Sequence, residues 1–185
     1  NEIRSNGKML SAEELYIAAN PVRPSPIRTE ADETTYNLHI IIRFQLEQAL
    51  LSGDLSVQDA PKAWNDAYQK ALGICPRNHQ EGILQDIHWS LGYFGYFPSY
   101  TLGNLYSASY KKHLKSVLPD IDSQNRNGKF SDVLTWLRTN IHQKGSLFTQ
   151  ENIVEQAVGE QDHVMNLIEH FQERQTLAHT LRERI

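Results

Sequence analysis

The sequence contains a single cysteine, Cys75, in 185 residues. One cysteine cannot form an internal disulfide, which favours a reducing compartment, and we therefore expect a cytoplasmic protein. Lys and Arg total 18 against 22 Asp and Glu, a formal net charge of −4. This chain lacks the positive charge that neutralises phosphates, so nucleic acid is not an expected partner. No apolar run is long enough to span a bilayer, and we expect no membrane association.

Strand-like alternation of apolar and polar residues is also absent, and apolar residues recur instead at helical spacing. We therefore predict an all-α, multi-helix fold that forms a single helical region over residues 1–185. Capping residues, glycines and prolines predict where the helices begin and end. The predicted starts are the Ser11–Glu14 capping box, about Thr29, Ser56, the residues after Pro98, Ser131, Thr149 and Asp162, and the second and third helices end at Gly53 and Gly73. Residues 119–129 are predicted to form a loop, and the charged residues 173–185 to fray.

The most unusual stretch is 82–106, in which glycines are interleaved with aromatic residues. It opens on an acid–histidine–tryptophan cluster: Gln85, Asp86, His88 and Trp89. Glycine lets a ligand or a second backbone approach closely, and a buried tyrosine hydroxyl needs a hydrogen-bond partner. The composition allows two interpretations, the wall of a functional site or a bent core segment held by aromatic rings.

Eight histidines suggest metal binding, but the motif His-Glu-x-x-His, which places two zinc ligands on one helical face, is absent. His163 and His170, seven residues apart, are interpreted as solvated helix histidines, and His39 as a core histidine bonded to a neighbour. Cys75 has no histidine placed to activate it, and no Gly-x-Ser-x-Gly elbow occurs. The residues by themselves therefore predict neither a metal site nor a nucleophile in this chain.

Arg28 and Asp32 are four residues apart at a predicted helix start, a spacing that lets the two side chains pair. An exposed pair of this kind stabilises a helix by only a few tenths of a kcal/mol. Alternatively, a carboxylate could hold the arginine so that its planar fork meets an anionic ligand. The spacing leaves both interpretations open.

Two segments, IRTEADETTYNLHIIIRF and GILQDIHWSLGYFGYFPSYTLGNLYSA, resemble the carboxypeptidase Taq family of zinc metallocarboxypeptidases. The family patterns I-R-x-x-A-D and G-x-x-Q-D-x-H-W are matched at every fixed position, by Ile27, Arg28, Ala31 and Asp32 and by Gly82, Gln85, Asp86, His88 and Trp89. Weaker likeness extends to the end of the chain and includes the segment GKFSDVLTWLRTNIHQKGSLFT. The resemblance implies the C-terminal part of a zincin-like helical metallopeptidase that removes C-terminal amino acids from peptides.

The sequence departs from the family in its metal ligands. Family members are much longer and bind zinc through His-Glu-x-x-His and a downstream glutamate, all of which lie N-terminal to the region matched here. None of these ligands is present, and the chain has no initiator methionine. We therefore expect a C-terminal fragment that is inactive alone and binds no zinc. Its expected partners are the missing N-terminal part, a peptide with a free C-terminal carboxylate and, because the family resemblance makes a homodimer plausible, a second copy.

In the parent enzyme, the resemblance implies that this chain positions substrate and stabilises charge. We expect His88 and Tyr100 to donate hydrogen bonds to the developing oxyanion, and Arg28 to bind the terminal carboxylate of the substrate. Gln85, Trp89 and Tyr96 are expected to line the substrate groove. Asp86 and Asp32 are expected to orient His88 and Arg28 respectively. The alternative from another class of protein is a helical binding or scaffold module that keeps the carboxypeptidase fold without its catalysis.

Overall fold

The structure, a computed structural model, describes residues 4–5 and 8–184, and within them the predicted all-α class is confirmed. The α-helices are α1 Ala12–Ala19, α2 Tyr36–Ser52, α3 Ala60–Leu72, α4 Pro98–Val117, α5 Ile121–Arg126, α6 Ser131–Asn140, α7 Gln150–Val158 and α8 His163–Arg182. Single 3-10 turns lie at Arg28–Glu30, Trp89–Leu91 and His142–Lys144. A short antiparallel hairpin pairs β1 Arg4–Ser5 with β2 Lys8–Met9. No helix in these residues is both long enough and apolar enough to cross a membrane.

Several predicted helix ends are confirmed by their caps. The hydroxyl of Ser11 accepts a hydrogen bond from the backbone N–H of Glu14, and the Glu14 carboxylate accepts one from the backbone N–H of Ser11. At the start of α7, the hydroxyl of Thr149 accepts a hydrogen bond from the backbone N–H of Asn152. The glycines at 53 and 73 end α2 and α3 with φ of 84° and 70°, a left-handed geometry that favours glycine.

The predicted start of the second helix at about Thr29 is wrong, because α2 begins at Tyr36. Asp32 explains the delay: its carboxylate accepts the backbone N–H groups of Thr34 and Thr35, both at 2.9 Å, and so forms a turn ahead of the helix. Ser56 likewise bonds the backbone N–H of Asp59 in a turn that precedes α3.

Two other predictions about the second half of the chain are corrected. Residues 119–129 are not all loop, since they contain the short helix α5. The segment after Glu173 continues α8 to Arg182. Two contacts hold it there: Arg174 pairs with Glu33 at 2.9 Å, and Ala178 is only 1% exposed. Ile185 lies outside the described residues.

The described chain forms two compact units, and the single region predicted from the sequence stays a prediction. The first unit runs to Thr101 and resumes at Arg174. Its core lies between α2 and α3 and consists of Ile42, Leu46, Trp64, Tyr68 and Leu72. The second unit, Leu102–Glu173, has its own core of Tyr106, Val154, Ala157 and Val158. Every candidate site residue predicted from the sequence lies in the first unit.

Candidate functional site

The two motif segments, 27–32 and 82–89, are in direct contact through Gln85. Its side-chain oxygen accepts the backbone N–H of Arg28 at 2.8 Å, and its amide nitrogen donates to the carbonyl of Pro26 at 2.9 Å and to the carbonyl of Glu81 at 2.7 Å. Both polar atoms of the side chain are therefore occupied by the backbone. The Gln85 side chain thus ties the two segments together, and the expectation that it lines the substrate groove stays a prediction.

Asp86 lies between two guanidinium groups. Its Oδ1 accepts from Arg28 Nε at 3.0 Å and Nη2 at 2.7 Å, and its Oδ2 accepts from Arg43 Nε at 2.6 Å. Burial opposes ionisation of this carboxyl, but the hydrogen bonds and positive charges of the two arginines outweigh burial and lower the pKa of Asp86. At neutral pH the Asp86 carboxylate therefore pairs with two cations. The trio of Arg28, Asp86 and Arg43 carries a formal charge of +1.

The expected roles of the two aspartates are corrected by these contacts. Asp32 does not hold Arg28, since its oxygens accept from the turn residues Thr34 and Thr35 and from the backbone N–H of Arg23. Asp86 takes that place. Its nearest oxygen lies 3.9 Å from Nδ1 of His88, which is beyond hydrogen-bond distance.

Arg28 keeps part of its donor capacity. Besides Asp86, its Nη1 donates to the hydroxyl of Tyr36 at 3.0 Å. A guanidinium has five N–H groups, so two remain after these three bonds. Burial alone would lower the pKa of Arg28, but Asp86 raises it, and the group stays charged. Its side chain is 10% exposed, whereas that of Arg43 is 0% exposed. Of the two arginines, Arg28 is therefore the one whose positive charge is accessible to a ligand.

Tyr100 and His88 form a second pair beside this cluster. The Tyr100 hydroxyl lies 2.9 Å from Nε2 of His88. Burial raises the pKa of Tyr100, so the hydroxyl keeps its proton at neutral pH. Burial also lowers the pKa of His88 and outweighs the Asp86 charge, which would raise it. The ring is therefore neutral at pH 7. Nδ1 of His88 is buried and has no hydrogen-bond partner among residues 4–5 and 8–184.

Aromatic rings surround the His88–Tyr100 pair. Phe97, which is 1% exposed, packs on the His88 ring at 4.4 Å between centroids. Tyr96 lies 5.8 Å from His88 and 5.5 Å from Tyr100, and it is 51% exposed. The inner ring at Phe97 is therefore core, as one interpretation of the central stretch predicts. The ring of Tyr96 is exposed, and the other interpretation, the wall of a functional site, stays a prediction. Trp89 is partly buried and donates its indole N–H to Glu47 at 3.3 Å.

Sequence reasoning missed the polar face of α2. Tyr36, His39, Arg43 and Glu47 follow one another at spacings of three or four residues, which places them on one side of the helix. His39, Arg43 and Glu47 are buried, and Arg43 donates to the hydroxyl of Tyr68 at 3.0 Å. This periodicity was visible in the sequence. Buried polar side chains at helical spacing are uncommon and usually hydrogen-bonded, so the pattern predicts a polar network.

His39 is a core histidine, as predicted. It is 0% exposed, and its Nδ1 lies 3.0 Å from the Tyr68 hydroxyl. Burial, reinforced by the charge of Arg43, lowers the pKa of His39 to about 4. His163 and His170 differ from the prediction of solvated side chains, since both are half-buried and lie within hydrogen-bond distance of Ser109 and Lys111 respectively.

The described residues do not fit a metal site. No group of three or more His, Cys, Asp or Glu side chains among residues 4–5 and 8–184 is arranged to hold a metal ion. The Tyr100 hydroxyl and the guanidinium of Arg28 can donate hydrogen bonds, and the charge of Arg28 can bind an anion.

Known proteins resemble the chain over most of its length. Residues 2–175 match the sequence profile described as Carboxypeptidase Taq (M32) metallopeptidase. Thermostable carboxypeptidase 1 of Thermus thermophilus is 46% identical over 151 residues, which are 82% of this chain and 30% of that protein. Carboxypeptidase 1 of Bacillus subtilis is 44% identical over 164 residues, 89% of this chain and 33% of that protein. The solved structure of a Pyrococcus furiosus carboxypeptidase gives a TM-score of 0.84 at 41% identity, and the match covers 89% of this chain and 33% of that one. The chain thus spans about a third of the length of these proteins.

Proposed function

The chain belongs to the carboxypeptidase Taq (M32) family of metallopeptidases, and from that premise we propose that it is the C-terminal part of an enzyme that removes amino acids from the C-terminus of peptides. Its contribution is to bind the substrate's terminal carboxylate and to stabilise the charge that develops on the scissile carbonyl. One observation carries this proposal. The charged guanidinium of Arg28 lies over the ring of Tyr100, with Cζ 5.0 Å from the ring centroid, and Tyr100 keeps its hydroxyl proton at neutral pH.

Arg28 binds the terminal carboxylate in this proposal. The formal surplus of one positive charge in the Arg28–Asp86–Arg43 trio favours an anion, and Arg28 retains two N–H groups for one. Asp86 orients the guanidinium, the role that the sequence had suggested for Asp32. A free carboxylate is the feature that distinguishes the end of a peptide from its interior, so this contact makes the activity that of an exopeptidase.

The Tyr100 hydroxyl donates a hydrogen bond to the carbonyl oxygen as that oxygen becomes an oxyanion. The step requires that His88 carry its proton on Nε2, so that the ring donates to the Tyr100 oxygen and leaves the hydroxyl proton for the substrate. The lack of any partner for Nδ1 of His88 supports this tautomer, because an N–H there would be a buried donor without an acceptor. His88 acts through Tyr100 in this arrangement, whereas the sequence had suggested that both donate to the oxyanion.

Tyr96 and Trp89 form the wall beside the bound residue. Tyr96 presents a half-exposed ring next to His88 and Tyr100, and the partly buried Trp89 supports the segment from behind. Gln85 holds the wall in place through its backbone contacts. The metal ligands of the family resemblance belong to residues that this chain does not contain, and we therefore propose that the chain alone does not hydrolyse peptides.

A comparison of two peptides tests this function. They share one sequence and differ only in ending as a free carboxylate or as an amide. The intact protein that contains this chain should shorten the first from its C-terminus one residue at a time, observed by mass spectrometry, and leave the second intact. A metal chelator should abolish the trimming and added zinc should restore it. The isolated 185-residue chain should show neither hydrolysis nor one tightly held zinc after dialysis.

The alternative, a non-catalytic scaffold that keeps the fold, predicts a different result for the intact protein. It predicts no trimming of either peptide with zinc present. Cleavage of both peptides at internal bonds would contradict the carboxylate-binding role of Arg28 while leaving a peptidase activity in place.

A further inference from the structure

Glu47 is a buried carboxylate, and within the described part of the chain both of its side-chain hydrogen bonds come from one segment. It lies on α2 and is 2% exposed. One oxygen accepts the indole N–H of Trp89 at 3.3 Å, and the other accepts the backbone N–H of Gly95. Among the described residues, no lysine, arginine or histidine forms an ion pair with it.

A buried carboxylate without an ion pair is costly unless hydrogen bonds replace its hydration. Here both replacing donors lie within residues 89–95, which connect the 3-10 turn at Trp89–Leu91 to the start of α4. The hydrogen bonds of Glu47 therefore form only when this segment lies in its present position. In turn, Glu47 anchors the segment at Trp89 and Gly95. Gly95 has φ of +81°, so its backbone adopts a geometry that other residues rarely take.

The segment held by Glu47 leads into the proposed site. Immediately after Gly95 come Tyr96, which lies 5.8 Å from His88, and Phe97, which packs on the His88 ring at 4.4 Å. Tyr100 follows in the first turn of α4, where its hydroxyl lies 2.9 Å from His88. A displacement of the backbone at Gly95 would therefore move the residues that face His88.

We propose that Glu47 is a positioning residue that fixes the segment 89–97, through Trp89 and Gly95, so that Tyr96 and Tyr100 face His88. Glu47 is too deeply buried to contact substrate itself and acts through the segment. The predicted effect on catalysis rests on the proposed function. The anchoring of residues 89–97 by Glu47 does not.

The test uses Glu47→Gln, which keeps the shape of the side chain. The new amide nitrogen replaces one acceptor oxygen and faces either the Trp89 or the Gly95 N–H, so that donor meets donor. Asp66→Asn is the matched control, since it makes the same chemical change at an exposed position on α3. Glu47→Asp keeps the charge but withdraws the oxygens by one methylene, and it provides a second variant if Glu47→Gln fails to fold.

Hydrogen exchange in the isolated chain gives a readout that needs no activity. In Glu47→Gln the amides of residues 92–97 should exchange about tenfold faster or more, while those of α2 and α3 keep their protection. Asp66→Asn should exchange like the wild type. Faster exchange throughout the chain, or unchanged exchange at Gly95, would overturn the proposal.

Kinetics of the intact protein test the link to Tyr100. Glu47→Gln should lower kcat for the free-carboxylate peptide by about tenfold or more, and Tyr100→Phe should then cost far less in the Glu47→Gln background than in the wild type. Full additivity of the two substitutions would mean that Glu47 does not position Tyr100. If the wild-type protein does not trim peptides at all, the proposed function fails, and the exchange experiment still decides whether Glu47 holds the segment.

Discussion

The guanidinium of Arg28 lies over the ring of Tyr100, 5.0 Å from its centroid, while Asp86 holds two of its nitrogens. The ring face attracts the cation and the carboxylate fixes its plane, so the arginine is oriented before any ligand arrives. Such preorganisation reduces the cost of ordering the side chain on binding.

Arg28→Lys should impair recognition of a free carboxylate. Lysine keeps the charge but lacks the planar fork, and the loss of a charge-assisted contact is worth on the order of 1.5–3 kcal/mol, roughly ten- to a hundredfold in kcat/KM. The loss should be much smaller for the amidated peptide, so the ratio of the two kcat/KM values is the quantity to measure in the intact protein.

Arg43→Lys provides the control for Arg28. Arg43 also pairs with Asp86, but its side chain is fully buried, so its replacement should lower stability and impair both peptides alike. A preference for the free carboxylate that survives Arg28→Lys unchanged would assign Arg28 a purely structural role.

Tyr100→Phe should lower kcat with little change in KM, and it should lower the melting temperature only modestly, through the lost hydrogen bond to Nε2 of His88. The ring and its packing remain, and only the hydroxyl is lost, which donates to an oxygen that is fully charged only in the transition state. Loss of one oxyanion donor typically costs about 10²–10³ in kcat. Tyr93→Phe is the control, because Tyr93 is 58% exposed in the same segment. A Tyr100→Phe enzyme with kcat within about twofold of wild type would remove Tyr100 from the mechanism.

The tautomer of His88 provides an independent check on the same step. Nitrogen-15 NMR of the isolated chain at neutral pH should show the proton of His88 on Nε2 and a bare Nδ1. A proton on Nδ1 would make Nε2 the acceptor of the Tyr100 hydroxyl, and that hydroxyl could not then donate to the substrate.

Asp86→Asn should destabilise the chain strongly. The substitution leaves two buried guanidinium groups beside each other without their shared anion, and breaking buried pairs of this kind costs about 3–5 kcal/mol. Asp32→Asn is the matched control, since asparagine caps turns and helices about as well as aspartate does. Urea unfolding followed by circular dichroism measures both variants. Equal losses in the two would contradict the assignment of Asp86, and not Asp32, as the anion of the cluster.

His39 should make the chain less stable in mild acid. Its pKa is about 4 in the folded chain and about 6.5 when unperturbed, so above pH 6.5 both states are neutral at this residue. Between pH 6.5 and 4 the unfolded chain takes up a proton that the folded chain does not, and the free energy of unfolding falls as pH falls. The gap between the two pKa values corresponds to about 3 kcal/mol.

His39→Asn isolates this effect, because asparagine can keep a hydrogen bond to Tyr68 and does not titrate. His88, whose pKa is also lowered, and Asp86 contribute to the pH dependence of both proteins and cancel in the difference. The difference in unfolding free energy between wild type and His39→Asn should therefore change between pH 6.5 and 4 and be constant above. A constant difference throughout would mean that His39 is protonated in the folded chain.

The helical class, the family and several helix caps could be predicted from the sequence alone. Caps depend on side chains three residues from the backbone groups they bond, as at Ser11 and Glu14, so local spacing suffices to predict them. The same holds for glycines that end helices, and for the two family motifs, which are contiguous patterns. The polar face of α2 could also have been predicted, because its polar residues recur at spacings of three or four in the sequence.

Which aspartate pairs with Arg28 depends on the tertiary structure and could not be predicted from local spacing. Arg28 and Asp32, four residues apart, have a spacing that allows a pair, but the turn that starts α2 uses the Asp32 oxygens for backbone N–H groups. Arg28 pairs instead with Asp86, 58 residues away, and Asp86 also accepts a hydrogen bond from Arg43 of α2. The spacing of residues along the chain shows only which ion-pair partners are geometrically possible. Only the packing of distant segments determines which of them is desolvated together with the arginine, and buried charges pair where water is excluded.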